Sequence, residues 1–312
     1  MIAMLSHSSE ERLFEPFFDK VDATVLIPAT QPLNEIVRLT EDAPLRFPLQ
    51  LDGASSLLDH LRSSDYAPAS GRFGAFCDNV LGMNWQLPDG RCVRIGERVV
   101  KSTTGYDWFR FLLHTEGRFG RPTDYIIRLR PDCTFWLLAS FEGTTSSLRA
   151  ATTILLRGGW MHWWDSVDIL SDSLSKSCRV AVNCPAEEAH LFKTELARVA
   201  SISQTALSLR TAIKRPDDGL PDLAVKTTPD RAATIADALV AHGFRTVTLS
   251  YCGVIHGYTA NPSSIPASIA PFEKELFAQG GHWMSRHHPT LTCYPDEIPW
   301  LRSLANHLNL HS

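Results

Sequence analysis

Residues 71–131 constrain this chain more than any other stretch. Val80 to Leu87 is mostly apolar and reads as a strand. Pro88-Asp89-Gly90 reads as a turn, because glycine reaches the positive φ that tight turns require. Arg91 to Ile95 alternates polar and apolar residues, as a strand returning from a hairpin does. Trp108, Phe109, Leu112 and Leu113 then recur at helical spacing. Gly117 and Gly120 break that helix, and Tyr125 to Leu129 reads as another strand.

Bulk properties narrow the class. A chain of 312 residues buries a sizeable core and has the length of two domains. It is 44% hydrophobic and 21% charged, an ordinary globular balance. The formal net charge of −4 argues against a general nucleic-acid binder. A small anionic substrate stays compatible, since a pocket can be positive in an acidic protein. Seven cysteines form no C-x-x-C pair, so they read as scattered reduced thiols of a cytoplasmic protein rather than as a zinc or iron–sulfur set. No apolar run is long enough to span a membrane, and the first residues lack the pattern of a signal peptide.

The ordered pieces within 71–131 resemble the second half of the FAD-binding domain of the vanillyl-alcohol-oxidase/PCMH superfamily, above all the FAD-binding subunit of glycolate oxidase. Those pieces are Gly71-Arg72-Phe73-Gly74, Asp78 to Gly82, Leu87-Pro88-Asp89-Gly90, Val99-Val100-Lys101, Gly105-Tyr106-Asp107 and Glu116-Gly117-Arg118-Phe119-Gly120. The resemblance implies an α+β architecture in three parts. Residues 1–20 are an N-terminal extension, 21–131 a partial PCMH-type FAD-binding domain, and 132–312 an α+β, ferredoxin-like substrate domain. It also implies FAD as cofactor.

Upstream, Phe14, Phe17 and Phe18 fit one helical turn, Ala23 to Ile27 a strand, and Pro32 to Leu39 a helix. Where the resembled family places a glycine-paired loop against the cofactor, this chain reads Ala54-Ser55-Ser56-Leu57-Leu58. Glycine lets a backbone approach a phosphate, and here leucines stand in that place. Ser55, Ser56 and nearby N–H groups are the alternative anion donors. The family's first FAD subdomain has no counterpart in residues 1–20. Three explanations stand open: the half is lost, a partner supplies it, or it lies upstream of a misassigned start. Pro122 stands where relatives offer a backbone N–H that proline lacks, and Lys101-Ser102 replaces a Lys-Asn pair.

Downstream, Phe135 to Phe141 and Cys178 to Val182 read as strands, and Leu148 to Leu156 as a helix closed by Gly158-Gly159. Ala189, Phe192, Leu196 and Val199 stripe a helix over Ala186 to Val199. Ala224 to Lys226, Ala232 to Leu239 and Phe244 to Tyr251 then give a β-α-β rhythm. Phe272 to Phe277 reads as a short helix and Trp300 to Leu308 as a terminal one. No internal sequence repeat is visible.

The resemblance assigns cofactor contact to Gly71, Arg72, Phe73, Gly74, Gly105 and Tyr106, and to Glu116, Gly117 and Gly120. Each block has a plainer reading as a turn that the fold needs. Arg72, Arg110 and Arg118 are candidates to face an anion. Among the histidines, His256 is the first to test as a catalytic group, because it follows a strand and falls in a Gly253–Gly257 loop. His287-His288-Pro289 does not hold helical spacing, so no metal site is expected around His282 and His287. Trp160, Trp163 and Trp164 fit either a partner interface or the core. The resemblance thus implies an FAD-dependent oxidoreductase, or a subunit of one, acting on a small 2-hydroxy acid such as glycolate. The alternative is a non-catalytic, FAD-poor subunit that stabilises a flavoprotein partner in a hetero-oligomer.

Overall fold

The structure is a computed structural model that describes residues 16–40, 42–49, 51–96, 112, 119–133, 135–212 and 218–287. Its first part runs β1 (Phe17–Asp19), β2 (Thr24–Pro28), α1 (Asn34–Leu39), β3 (Leu45–Arg46), α2 (Leu57–Ser63) and α3 (Ser70–Phe73). It continues with β4 (Val80–Gln86), β5 (Cys92–Gly96), β6 (Arg121–Arg128) and β7 (Arg130–Pro131). Among the described residues a five-stranded sheet has the order β1-β2-β6-β4-β5, every pair antiparallel.

The hairpin β4–β5 forms where the sequence places it. Gly90 takes φ +85 and its N–H donates to the Leu87 carbonyl at 2.9 Å. The Asp89 carboxylate accepts the Arg91 N–H at 3.0 Å, pinning the turn. Val25, Ile27, Met83, Trp85, Tyr125 and Ile127 bury one face of this sheet beneath Ile36, Leu57 and Leu61 of the helices. The β4–β6 register shifts between Asn84 and Trp85, where Pro122 faces Trp85 with no N–H for the ladder. Phe17 and Phe18 belong to β1, paired with Leu26 and Val25, so the helical turn expected there is a strand. Pairing with β2 satisfies backbone groups that a single helical turn leaves open.

The second part runs β8 (Trp136–Glu142), α4 (Thr145–Arg157), β9 (Ser166–Ser171), β10 (Lys176–Asn183), α5 (Ala189–Ser203) and β11 (Ala206–Ala212). The same element order then repeats as β12 (Leu223–Lys226), α6 (Pro229–Ala241), β13 (Arg245–Leu249), β14 (Val254–Tyr258), α7 (Ile265–Ala278) and β15 (His282–Met284). Each set is a β-α-β-β-α-β unit of ferredoxin-like kind. The units join side by side through β9 and β13, giving one antiparallel sheet ordered β11-β8-β10-β9-β13-β14-β12-β15. Repeated topology without repeated sequence explains why no repeat was legible.

The paired registers put alternate residues on opposite faces. Leu137, Phe141, Val180 and Val182 pack under α4 and α5, and Val225, Ile255 and Trp283 under α6 and α7. The opposite face carries Leu170, Val247, Leu249 and Val254, on which Tyr66 of the first part packs. Two expectations are corrected here. His256 lies within β14, paired with Val247 and Ala224, and not in a loop. The helix expected at Phe272 to Phe277 begins at Ile265 and carries Pro271 inside it.

Candidate functional site

The Gly71-Arg72-Phe73-Gly74 block forms α3, a single turn entered by Ala69 at φ 78 and left by Gly74 at φ 84. Gly71 is tightly covered: an added Cβ would lie 2.3 Å from Cβ and Cγ of Tyr251. The Tyr251 hydroxyl donates to the Met161 carbonyl, fixing the ring across α3. Arg72 Nη1 lies 3.1 Å from Oδ1 of Asp165, which also takes Arg46 Nη2 at 2.8 Å. The guanidinium groups of Arg46, Arg72 and Arg130 surround the Phe73 ring at 5.4, 4.9 and 5.7 Å from its centroid. Asp78 accepts the Ala75 N–H at 2.8 Å, the cap its sequence position suggests.

Gly120 has φ +117, and an added Cβ would meet the Gln86 carbonyl at 2.0 Å. Beside it Trp85 Nε1 donates to the Phe119 carbonyl at 2.8 Å. Gly105, Tyr106, Glu116 and Gly117 lie outside the described residues, as do Lys101, Ser102, Arg110 and Arg118.

The segment at Ala54 to Leu58 does not fit a pyrophosphate. Ser56 caps α2 in a box with Asp59: Asp59 N–H donates to Ser56 Oγ at 3.2 Å, and Ser56 N–H to Asp59 Oδ2 at 3.0 Å. Ala54 N–H donates to Asp52 Oδ1 at 3.0 Å, Ser55 N–H to the Asp52 carbonyl, and Leu58 N–H to the Ala29 carbonyl. The N–H groups of Ala54, Ser55, Ser56 and Leu58 thus already have acceptors within the chain. Two of those acceptors are carboxylates, whose charge repels an anion.

A group of acid–base side chains lies where α2 meets the open face of the larger sheet. A small depression is lined there by His60, Ser64, Tyr66, Asp218, His256 and Tyr258. His256 Nε2 is 3.1 Å from Ser64 Oγ, and His60 Nε2 is 3.1 Å from the Asp52 carbonyl oxygen. Burial pushes His256 down to about 4, against the opposing pull of a backbone hydrogen bond to Tyr66. The imidazole is therefore neutral at physiological pH. Asp218 closes one wall and grips Arg179 of β10 with both oxygens, at 3.1 and 2.6 Å. Neither partner carried a local sequence signal.

His287 Nε2 and Arg286 Nη2 pair with Oδ1 of Asp222 at 2.8 and 2.7 Å. Among the described residues no group of three or more metal-ligating side chains forms. Trp164 is fully buried, its indole donating to the Leu155 carbonyl at 3.1 Å, and Trp160 packs beside it on Phe192. Trp163 is 53% exposed, so the core takes Trp164 and leaves Trp163 at the surface. None of the described cysteines forms a disulfide. Among the described residues no helix is long and apolar enough to cross a membrane.

The fold recurs among solved structures. It is shared with xylooligosaccharide oxidase from Myceliophthora thermophila C1, solved in complex with xylobiose, at a TM-score of 0.68 and 12% identity, over 95% of this chain and 77% of that one. The particular relatives follow from sequence. An FAD-linked oxidoreductase of Mycobacterium tuberculosis is 29% identical over 147 residues, 45% of this chain and 32% of that protein. A mitochondrial D-lactate dehydrogenase (cytochrome) of Arabidopsis thaliana is 30% identical over 128 residues, 40% of this chain and 22% of that protein. Glycolate oxidase subunit GlcD of Bacillus subtilis is 29% identical over 86 residues, 27% of this chain and 18% of that protein. The matches thus cover less than a third of each of these curated relatives. No family model matches the chain. The resemblance to the vanillyl-alcohol-oxidase/PCMH superfamily holds, in fold over nearly the whole chain and in sequence over about half of it or less.

Proposed function

We propose that this chain is a component of an FAD-linked oxidoreductase that converts a small 2-hydroxy acid, such as glycolate, to the 2-oxo acid. The observation that carries the reading is the coincidence of two similarities. Relatives named as FAD-linked, D-lactate and glycolate enzymes align to a chain whose fold matches an oxidase over 95% of its length. In this reading residues 21–131 are the flavin-facing unit and 132–312 the substrate unit. Gly71 to Gly74, Gly105, Tyr106, Glu116, Gly117 and Gly120 form the face toward the flavin. A bound flavin would supply the electron-accepting chemistry. His256, the histidine singled out by its sequence position, lies beside Ser64 Oγ, but burial makes it a weak base at neutral pH, so this reading leaves the catalytic base unassigned.

The self-capped turn at Ser56 favours a second reading, in which the chain is an FAD-poor subunit and a flavoprotein partner holds the cofactor. Purification distinguishes the two. Yellow protein that releases FAD on denaturation and turns over glycolate or D-lactate supports the first. Colourless protein that neither takes up added FAD nor oxidises 2-hydroxy acids overturns it. Co-purification with a flavoprotein supports the second.

A further inference from the structure

We propose that β11 is the contact through which two copies of this chain pair, edge to edge and antiparallel, across a two-fold axis at Ser208. β11 is the outermost strand of the larger sheet: among the described residues it pairs with β8 on one side and with no strand on the other. An open edge exposes a row of unpaired backbone donors and acceptors, and proteins ordinarily blunt it with short strands, bulges, proline or lysine. β11 has none of these. It runs seven residues in unbroken register with β8 and contains neither proline nor lysine. Ala206, Ser208, Leu209, Arg210 and Thr211 are exposed, Leu209 at 39%.

The side chains name the occupant, because the strand is complementary to itself. With Ser208 facing its own copy, Leu207 faces Leu209 of the second copy, twice by symmetry. Alternation puts Leu207 and Leu209 on the helix-covered face, where Leu207 packs against the cluster that holds Phe141. Pairing therefore continues an apolar row, from Phe141 and Leu207 of one copy to Leu209 and Ala139 of the other. On the opposite face Arg210 stands across from Ala206 of the second copy, and Ala206 is paired with Glu142 of β8. Glu142 and Arg210 are both exposed, and neither makes an ion pair among the described residues. Two strand spacings, about 10 Å, separate them in the pair, a span that an extended arginine and glutamate cover over the small Ala206. Each charge thus meets its opposite, and no like charges stand in direct opposition. A register centred on Leu209 would instead set Arg210 against Ser208 and leave Glu142 without a partner. The pairing needs no flavin.

Sedimentation velocity on the purified chain, across a range of concentrations, tests it. A dimer is expected. Leu209→Lys should leave a folded monomer with the circular dichroism of the parent, because position 209 is exposed in the single chain. Arg210→Glu should raise the dimer dissociation constant about tenfold, the scale of two exposed ion pairs, and Glu142→Arg should do the same. The two charge changes together should restore the dimer, since opposite charges meet again. A chain that stays monomeric at every concentration overturns the proposal, including one that instead binds a different protein through β11. So does a dimer that Leu209→Lys leaves intact, or one that the paired charge exchange fails to restore.

Discussion

The carboxylate of Asp165 holds Arg46 at 2.8 Å, joining residues 119 positions apart. Asp165 is fully buried, and its second oxygen accepts the Asn183 N–H at 2.6 Å. Arg46 also lies over the Trp136 ring, so the pair ties the first part of the chain to the first strand of the larger sheet. Removing one partner of such a pair leaves an uncompensated buried charge, at a cost of about 3–5 kcal/mol. Asp165→Ala should therefore lower the urea unfolding free energy by that amount. Arg72→Ala should cost about 1 kcal/mol or less, because its side chain is 29% exposed and solvent screens the interaction. Equal losses in the two variants would rule out this ranking.

Gly71 and Tyr251 should be energetically coupled. Gly71→Ala forces the Tyr251 ring or α3 to move, and overpacking of this kind costs about 1–3 kcal/mol. Combined with Tyr251→Ala, the glycine substitution should lose most of that penalty. A double-mutant cycle in urea should give a coupling beyond about 0.5 kcal/mol, since contacting residues are not additive. A simple sum of the two effects would show that the contact carries no strain.

Ser56→Ala removes one half of the capping box and should destabilise the chain by about 1 kcal/mol. Ser55→Ala, which removes only a bond to Asp52 beside the helix, should change less. Thermal melts of the two variants make the comparison. If Ser55→Ala proves the more damaging, the turn is held chiefly by Asp52 instead.

His256 makes stability depend on pH. Its folded value, about 4, lies below the ordinary 6.5. Between those values the unfolded chain binds a proton that the folded chain does not. Stability from this group is therefore full above pH 6.5 and falls as pH drops toward 4. The total is on the order of 3 kcal/mol, because each tenfold loss of proton affinity is worth about 1.4 kcal/mol. Urea midpoints measured from pH 7.5 to 4.5 should show a smaller decline in His256→Gln than in the parent chain. Parallel curves would assign the acid sensitivity to other groups.

Much of the first sheet was legible from local pattern. The β4–β5 hairpin follows from an apolar run, a Pro-Asp-Gly turn and an alternating return strand, all decided by neighbouring residues. The helices at Ser56 and Thr144 start at side chains that cap them through residues three positions on. Strands β9 and β11 went unread. Ser166–Ser171 and Ala206–Ala212 alternate over only four residues each, Ser166 to Ile169 and Leu207 to Arg210, and pairing with their neighbours in the sheet completes them. His256 was singled out from its sequence, yet its setting was misplaced. A glycine on each side suggested a loop, while pairing with β12 and β13 makes it a central strand.

The amino-acid order by itself determined the local elements, the superfamily resemblance and the candidate residues around Gly71 and Gly120. Those depend on periodicity, turn chemistry and short ordered motifs, which act within a few residues. Tertiary structure decided the doubled ferredoxin-like sheet, the Arg46–Asp165 tie, the His256–Ser64 contact and the Arg179–Asp218 grip. Each of these joins side chains separated by long stretches of chain, and strand register sets their meeting. A charge or an imidazole acquires its chemistry from what burial places against it, and that information is not local.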